Sequence, residues 1–317
     1  MTILITGIAG FIGSNTAKKL FERGDQIIGL DNFNDYYEPA LKEKRISDFL
    51  AGHDFKVYRL DLADKAGLLK VFEENKIDKI CHLAAQAGVR YSLTNPDVYL
   101  ESNIIGTNNL LELARQHNIK DFVFASSSSV YGGNTKIPFS EADKVDYPIS
   151  LYAATKKANE LQAHVYHHLY GLNCFGLRFF TVYGPWGRPD MAYYKFTGNI
   201  LNSQPIDVYN GGHHQRDFTY IDDIVSGIVS ALANCSGYEI FNLGNNQPVE
   251  LEYFISIIEN KLNKKAIKNY LPLQSGEVIE TYANIDKAKK VLGYEPQVGL
   301  EEGLDKFLTW YQQYYGK

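Results

Sequence analysis

Short apolar runs alternate with amphipathic stretches over the first half of the chain. Residues 2–6, 26–30, 55–60, 77–84, 121–125 and 173–181 read as strands. Between most of them, residues 65–75, 98–117 and 152–170 carry apolar positions at helical spacing, and residues 11–23 do the same before Gly24. This alternation predicts βαβ units with right-handed crossovers, and so an α/β fold: a doubly wound parallel sheet with helices on both faces. After about Gly184 the pattern loosens. Glycine, proline and aromatic residues mix with short strands and helices at 206–209, 221–233, 239–243, 249–262 and 300–315. Neither repeats nor a low-complexity linker interrupt the chain. The expected division is a sheet domain over 1–184 and, over 185–317, mainly a smaller mixed α/β lobe closing over the sheet edge. Later segments are free to return to the main sheet.

Composition narrows the class. The 317 residues are 45% hydrophobic and 22% charged, as in ordinary globular proteins, enough for one large domain or two closely packed lobes. The net charge is −5 with no basic run, which argues against nucleic acid as a partner. The opening MTILITGIAGFIG lacks a basic segment and a cleavage site, so it does not read as a signal peptide. No apolar stretch reaches the ~18 residues a membrane span needs. Cys81, Cys174 and Cys235 fit neither a metal knuckle nor a CxxC pair and read as reduced core residues of a cytoplasmic protein. His164, His167 and His168 share a helical stretch and His213 adjoins His214. No HExxH or carboxylate partner accompanies them, so they read as solvated or packing residues, and no metal site is expected.

The first strand runs into Gly7-Ile8-Ala9-Gly10-Phe11-Ile12-Gly13, which opens the first helix. In a strand–turn–helix unit such glycines permit a tight turn, close approach of backbone to a pyrophosphate, and close helix–strand packing. The helix N-terminus then presents unpaired N–H groups to the phosphates. The spacing is GxxGxxG rather than GxGxxG. Asp31 ends the second strand at the distance expected of a ribose-binding acid, where it would repel a 2′-phosphate and so favour NAD over NADP. A plain structural turn is the bland alternative. Asp61, followed by Leu62, ends the third strand, where it either accepts from the adenine amino group or caps a helix. Leu83-Ala84-Ala85 ends the fourth strand with small residues beside the cofactor path.

Tyr152 and Lys156 stand four apart, on one helix face. A phenol has a reference pKa near ~10, and a nearby cation lowers it by stabilising the phenolate. A surface pair is the bland alternative. The serine run 126–129 closes the fifth strand, and ligands in parallel sheets sit beyond the carboxyl ends of strands.

With GxxGxxG, a serine run and YxxxK in this order, the whole chain resembles the extended short-chain dehydrogenase/reductase family, with a Rossmann-type fold. Within that family it is similar to nucleotide-sugar 4-epimerases. The resemblance implies Ser127 as catalytic hydroxyl, Tyr152 as base, and Lys156 as ligand of the nicotinamide ribose. It implies an NAD site formed by Gly7, Gly10, Phe11, Ile12, Gly13, Asp31, Asn32, Asp61, Leu62, Leu83, Ala84, Ala85 and Asn103 together with Tyr152 and Lys156.

Related dehydratases and decarboxylases carry acids where this chain has Ser128 and Ser129. A hydroxyl is a poor acid or base at neutral pH, which argues for epimerisation alone. The stretch 181–191, TVYGPWGRPDM, is similar to UDP-glucuronate 4-epimerases. There Arg188 is suited to a bidentate pair with a C6 carboxylate, or is an exposed loop arginine. Thr181, Ser128 and Ser129 would add neutral donors. Residues 86–92 resemble the same group, so Gln86, Val89 and Arg90 should line the sugar pocket, unless Arg90 bridges elements. Arg216 resembles a diphosphate ligand, and Glu277 stands where the family more often has an aspartate to meet the nucleotide ribose. The implied reaction is NAD-dependent C4 epimerisation of a UDP-hexuronic acid, UDP-glucuronate to UDP-galacturonate, through a 4-keto sugar. The rivals are a UDP-glucose or UDP-N-acetylhexosamine 4-epimerase, a UDP-glucuronate decarboxylase, and a non-catalytic NAD-binding protein. The resemblance further implies a homodimer, with residues 98–117 and 152–170 forming a four-helix interface or else only covering the sheet.

Overall fold

A strand buried on both faces feeds alternate side chains to two cores, and the first strand does so here. Ile3 and Ile5 pack with Phe11, Leu20 and Val123, while Leu4 packs with Ile28, Leu68, Ile80 and Phe122 on the other face. Each such side chain contributes roughly 1.5–3 kcal/mol when taken out of water.

The computed structural model describes residues 1–272 and 280–316. Among the described residues the chain runs β1 (Thr2–Thr6), α1 (Phe11–Glu22), β2 (Gln26–Asp31), α2 (Pro39–Lys44), β3 (Lys56–Arg59), α3 (Lys65–Glu74), β4 (Lys79–His82), α4 (Tyr91–Thr94), α5 (Asp97–Tyr99), α6 (Gly106–Gln116), β5 (Asp121–Ser127), α7 (Leu151–Tyr170) and β6 (Asn173–Phe179). It continues through β7 (Thr181–Tyr183), α8 (Ala192–Leu201), β8 (Pro205–Tyr209), β9 (Gln215–Tyr220), α9 (Ile221–Asn234), β10 (Tyr238–Leu243), β11 (Pro248–Glu250), α10 (Leu251–Leu262), β12 (Ile267–Leu271), β13 (Glu280–Thr281), α11 (Asp286–Leu292) and α12 (Leu300–Tyr315).

The main sheet is parallel, in the order β10-β6-β5-β4-β1-β2-β3. The winding reverses between β1 and β4, which opens a crevice at their carboxyl ends. β10 comes from the second half of the chain and lies in register beside β6, Tyr238 against Cys174 through Leu243 against Phe179. In a second sheet β9 pairs with β7 and β13 in parallel and with β11 antiparallel; β8 and β12 form a separate parallel pair. Asp217 on β9 knots this half together. Its buried carboxylate accepts from the N–H groups of Asn245 (2.6 Å), Asn246 (3.0 Å) and Ala283 (3.0 Å). Burial pushes this carboxyl up to about 6, against the pull of those N–H groups.

Three elements depart from the pattern-based expectation. The stretch 173–181 is not one strand: β6 ends at Phe179, and after Phe180 the chain leaves the main sheet, so that Thr181 pairs with Phe218 of β9. The helix expected over 98–117 is interrupted by a wide π turn over Leu100–Ile105 before α6 begins. That turn aims Asn103 sideways, where it bonds Gln86 and Thr155, a tertiary demand that apolar periodicity does not carry. α2 and the π turn Arg45–Phe49 after it had no signal beyond Pro39 at the helix start.

Candidate active site

The crevice at the switch point is one end of a single cleft of about 820 Å³ that reaches across to β8 and β9. At its first end, Gly7 has φ +73°, and a Cβ there would lie 2.8 Å from the backbone N of Ala84. A Cβ on Gly13 would lie 2.0 Å from the Gly7 carbonyl oxygen. Glycine is therefore compulsory at both, and it brings α1 nose-first against β1 and β4. The first-turn N–H groups of a helix have no acceptor inside it, so this end is an anion site. Asp31 is buried and accepts from Ala9 N–H (3.0 Å) on one oxygen and Phe33 N–H (2.9 Å) on the other. Each oxygen keeps a further lone pair, as a ribose diol requires. Burial raises this carboxyl, against those N–H groups. Asp61 accepts from Asn32 (2.8 Å) and from Ala63 N–H (2.8 Å). These two residues line the cleft with Gly10, Phe11, Ile12, Leu62, Leu83, Ala84 and Ala85. The glycine cradle, the helix end and the buried Asp31 carboxylate fit NAD.

Asn103 is placed otherwise. It lies buried behind the cleft wall, with its amide spent on Gln86 N–H (2.8 Å), the Gln86 carbonyl (3.1 Å) and Thr155 (3.0 Å). It shapes the loop after β4 and does not line the cleft.

At the centre, Ser150 caps α7 by accepting from Ala153 N–H (3.1 Å), which fixes Tyr152 in the first helical turn beside the end of β5. Burial pushes the Tyr152 phenol up, while a hydrogen bond with Ser127 and the charge of Arg188 pull it back. Burial lowers Lys156 to about 8, and its ammonium donates to the Ala125 carbonyl (2.9 Å). Arg188 thus stands close enough for its field to reach the Tyr152 oxygen. Ser127, Ser128, Ser129, Thr181, Gln86, Val89, Arg90, Arg188 and Arg216 line the same cleft. Arg90 stacks over the Tyr209 ring at 5.0 Å. Glu277 lies outside the described residues.

Several supports escaped the sequence reading. Glu160, one turn beyond Lys156 on α7, accepts from Ser126 (2.7 Å) and pairs with Arg178 of β6 through both oxygens (2.8 and 2.9 Å). This buried pair locks β5, with Ser127, to the helix that carries Tyr152. The i+8 spacing from Tyr152 was its one signal. Arg45 is fully buried and donates to the carbonyls of Ala9 (2.9 Å), Trp186 (2.6 Å) and Gly187 (3.0 Å) and to Tyr37 (2.6 Å). It ties the glycine turn to the loop that carries Arg188. In that loop Trp186 has φ +62°, costly for a bulky residue, and its ring is wedged among Phe49, Trp310 and Tyr314. Arg188 itself is not a free fork: Asp190 already takes its Nε (3.0 Å) and Nη2 (2.5 Å).

Among the described residues no helix is long and apolar enough to cross a membrane, and no group of three or more metal-ligating side chains occurs. The UDP-glucuronate 4-epimerase 1 of Arabidopsis thaliana is 49% identical over 334 residues, covering 100% of this chain and 78% of that protein. The crystal structure of the UDP-glucuronic acid 4-epimerase of Bacillus cereus with UDP-glucuronic acid and NAD superposes with a TM-score of 0.91 at 36% identity, covering 99% of this chain and 100% of that one. The UDP-glucose 4-epimerase of Thermotoga maritima, crystallised with UDP-glucose, also superposes with a TM-score of 0.91, at 30% identity, over 99% of this chain and 100% of that one. The backbone is thus shared by enzymes of acidic and neutral sugars, and the difference must lie in side chains. The sequence profile of the NAD dependent epimerase/dehydratase family matches residues 3–244, and this chain belongs to that family.

Proposed function

We propose that this protein is an NAD-dependent UDP-glucuronate 4-epimerase that interconverts UDP-glucuronate and UDP-galacturonate. The observation that carries the reading is a guanidinium, Arg188, lining one cleft with Tyr152, with hydroxyls, not acids, at Ser128 and Ser129. Relatives of that name at 49% identity over the full chain support it.

Tyr152 takes the proton of the sugar 4-hydroxyl, and Ser127 donates to the same oxygen to hold it in line. Bound NAD would supply the hydride acceptor, and in its reduced form the hydride donor, for C4 of the sugar. Lys156 grips the nicotinamide ribose and keeps a positive charge near the phenolate. Arg216 pairs with the diphosphate and anchors the nucleotide while the 4-keto sugar turns over. Arg188, with Thr181, Ser128 and Ser129, holds the C6 carboxylate. A 4-keto uronic acid is a β-keto acid and loses carbon dioxide when its C5–C6 bond aligns with the carbonyl π system, so this grip also guards the intermediate.

The protein is read as a cytoplasmic homodimer. Leu161, Val165 and Leu169 make an exposed apolar stripe along α7, next to exposed Leu100 and Ile105, and the three free cysteines are buried. Light scattering giving the mass of one 35.8 kDa chain overturns the dimer.

The deciding experiment incubates purified protein with UDP-glucuronate and no added NAD, then separates the products. UDP-galacturonate is expected. A UDP-pentose makes the enzyme a decarboxylase, and no turnover even with added NAD moves the substrate to a neutral sugar nucleotide.

A further inference from the structure

The loop that presents Arg188 also presents a carboxylate of its own. Asp190 accepts from Arg188 Nε at 3.0 Å and Nη2 at 2.5 Å, so the side edge of the guanidinium is spent inside the protein. Tyr36 donates to the same carboxylate at 3.1 Å and holds it from the opposite wall. Both members of the pair line the cleft. Burial pushes the Asp190 carboxyl up, and the adjoining guanidinium more than offsets this, so it stays ionised. Five N–H donors make a guanidinium, and the Nη1 side is left for a ligand.

An acidic sugar therefore does not meet a bare cation. It meets a neutralised pair, whose attraction for a second carboxylate is weaker than that of Arg188 alone. A neutral hexose can enter without disturbing the pair. The reaction adds a further demand. For the second face of C4 to be presented, the ring must swing over, and its C6 carboxylate must release Arg188 and come back. A lone buried guanidinium would resist that release, because losing its only partner leaves a buried charge unpaired.

We propose that Asp190 is a specificity-setting positioning residue that keeps Arg188 paired whenever the sugar carboxylate lets go. It rests on the uronic-acid reading above. Asp190 lowers the affinity of the ground state for acidic sugars and in return keeps the sugar free to turn.

The test compares wild type with Asp190→Asn on UDP-glucuronate and UDP-glucose, with KM and kcat separated and affinities measured by calorimetry. For UDP-glucuronate, KM and Kd are expected to fall about five- to tenfold, the size of a charge-pair coupling, and kcat to fall with them. UDP-glucose binding should change less than twofold. Asp190→Glu, which keeps the charge, should restore wild-type values to within about threefold. A rise in KM for UDP-glucuronate, equal effects on both sugars, or no change overturns the proposal. Should Asp190→Asn not fold, Tyr36→Phe serves. Without its phenol donor, Asp190 should hold Arg188 harder and raise the Kd of UDP-glucuronate alone two- to threefold, and no selective rise overturns the proposal. Calorimetry keeps the two readings apart. A wild type that binds UDP-glucuronate without turning it over refutes the epimerase and still lets the pair be read.

Discussion

Two glycine-bearing turns frame the cleft, and they are built differently. The turn at residues 7–13 is local: β1 leads in, α1 leads out, and the glycines are demanded by backbone within the same unit and by Ala84 beside it. The turn at residues 184–191 is held from far away. Arg45 fastens the Trp186 and Gly187 carbonyls, Tyr36 fastens Asp190, and Trp310 and Tyr314 pin the Trp186 ring. The first turn is the one proposed to hold the cofactor. The second carries Arg188, proposed above for the sugar carboxylate, and its geometry rests on side chains from the segment before α2, the π turn after it, and α12.

Substitutions at the chemistry between the turns should strike all sugars alike. Tyr152→Phe is expected to lower kcat about 10³-fold on any UDP-sugar, with NAD still released on denaturation in equal amount to protein. Loss of bound NAD in that variant would mean the tyrosine holds the cofactor and not the proton.

Substitutions in the far-held turn should divide the substrates. Arg188→Ala is expected to cut epimerisation of UDP-glucuronate roughly 10–100-fold, the size of a lost charge-assisted hydrogen bond, and to release carbon dioxide. UDP-glucose turnover should scarcely change. Unaltered UDP-glucuronate epimerisation without carbon dioxide would remove Arg188 from the carboxylate site.

The smallest effect concerns stability. Burial holds Lys156 at about 8, below the ordinary lysine value of 10.5. Between those values the unfolded chain carries the proton and the folded protein does not, so stability rises with pH across that window. Below it the buried ammonium is a cost, and Lys156→Met should raise stability at pH 7 by ~1–2 kcal/mol while abolishing turnover. A melting temperature that falls at pH 7, or is flat between pH 8 and 10, contradicts this.

The same contrast governs what the sequence discloses. Gly7, Gly13, Asp31, Tyr152 and Lys156 were readable because strand, turn and helix are neighbours along the chain, and spacing carries their geometry. Asn103 stands behind the cleft wall, on a π turn whose bonds to Gln86 and Thr155 no spacing announces. Arg45, Glu160 and Asp190 were passed over because their meaning lies in partners that spacing does not bring together. Arg45 meets Trp186, Glu160 meets Arg178, and Asp190 meets Tyr36. Fold class follows from periodicity, whereas these braces follow only from the finished packing.

The parentage of β10 has a consequence for biosynthesis. β6 ends at Phe179, and β10, the strand that covers its open side, ends only at Leu243. A ribosome adding ~5–20 residues per second leaves the two apart by roughly 3–13 s. Throughout that interval Asn173–Phe179, an apolar and nearly fully buried strand in the finished protein, presents unpaired amides along an uncovered margin. The nascent chain is at its most adhesive there, after six strands of the main sheet have been made and before the seventh has emerged.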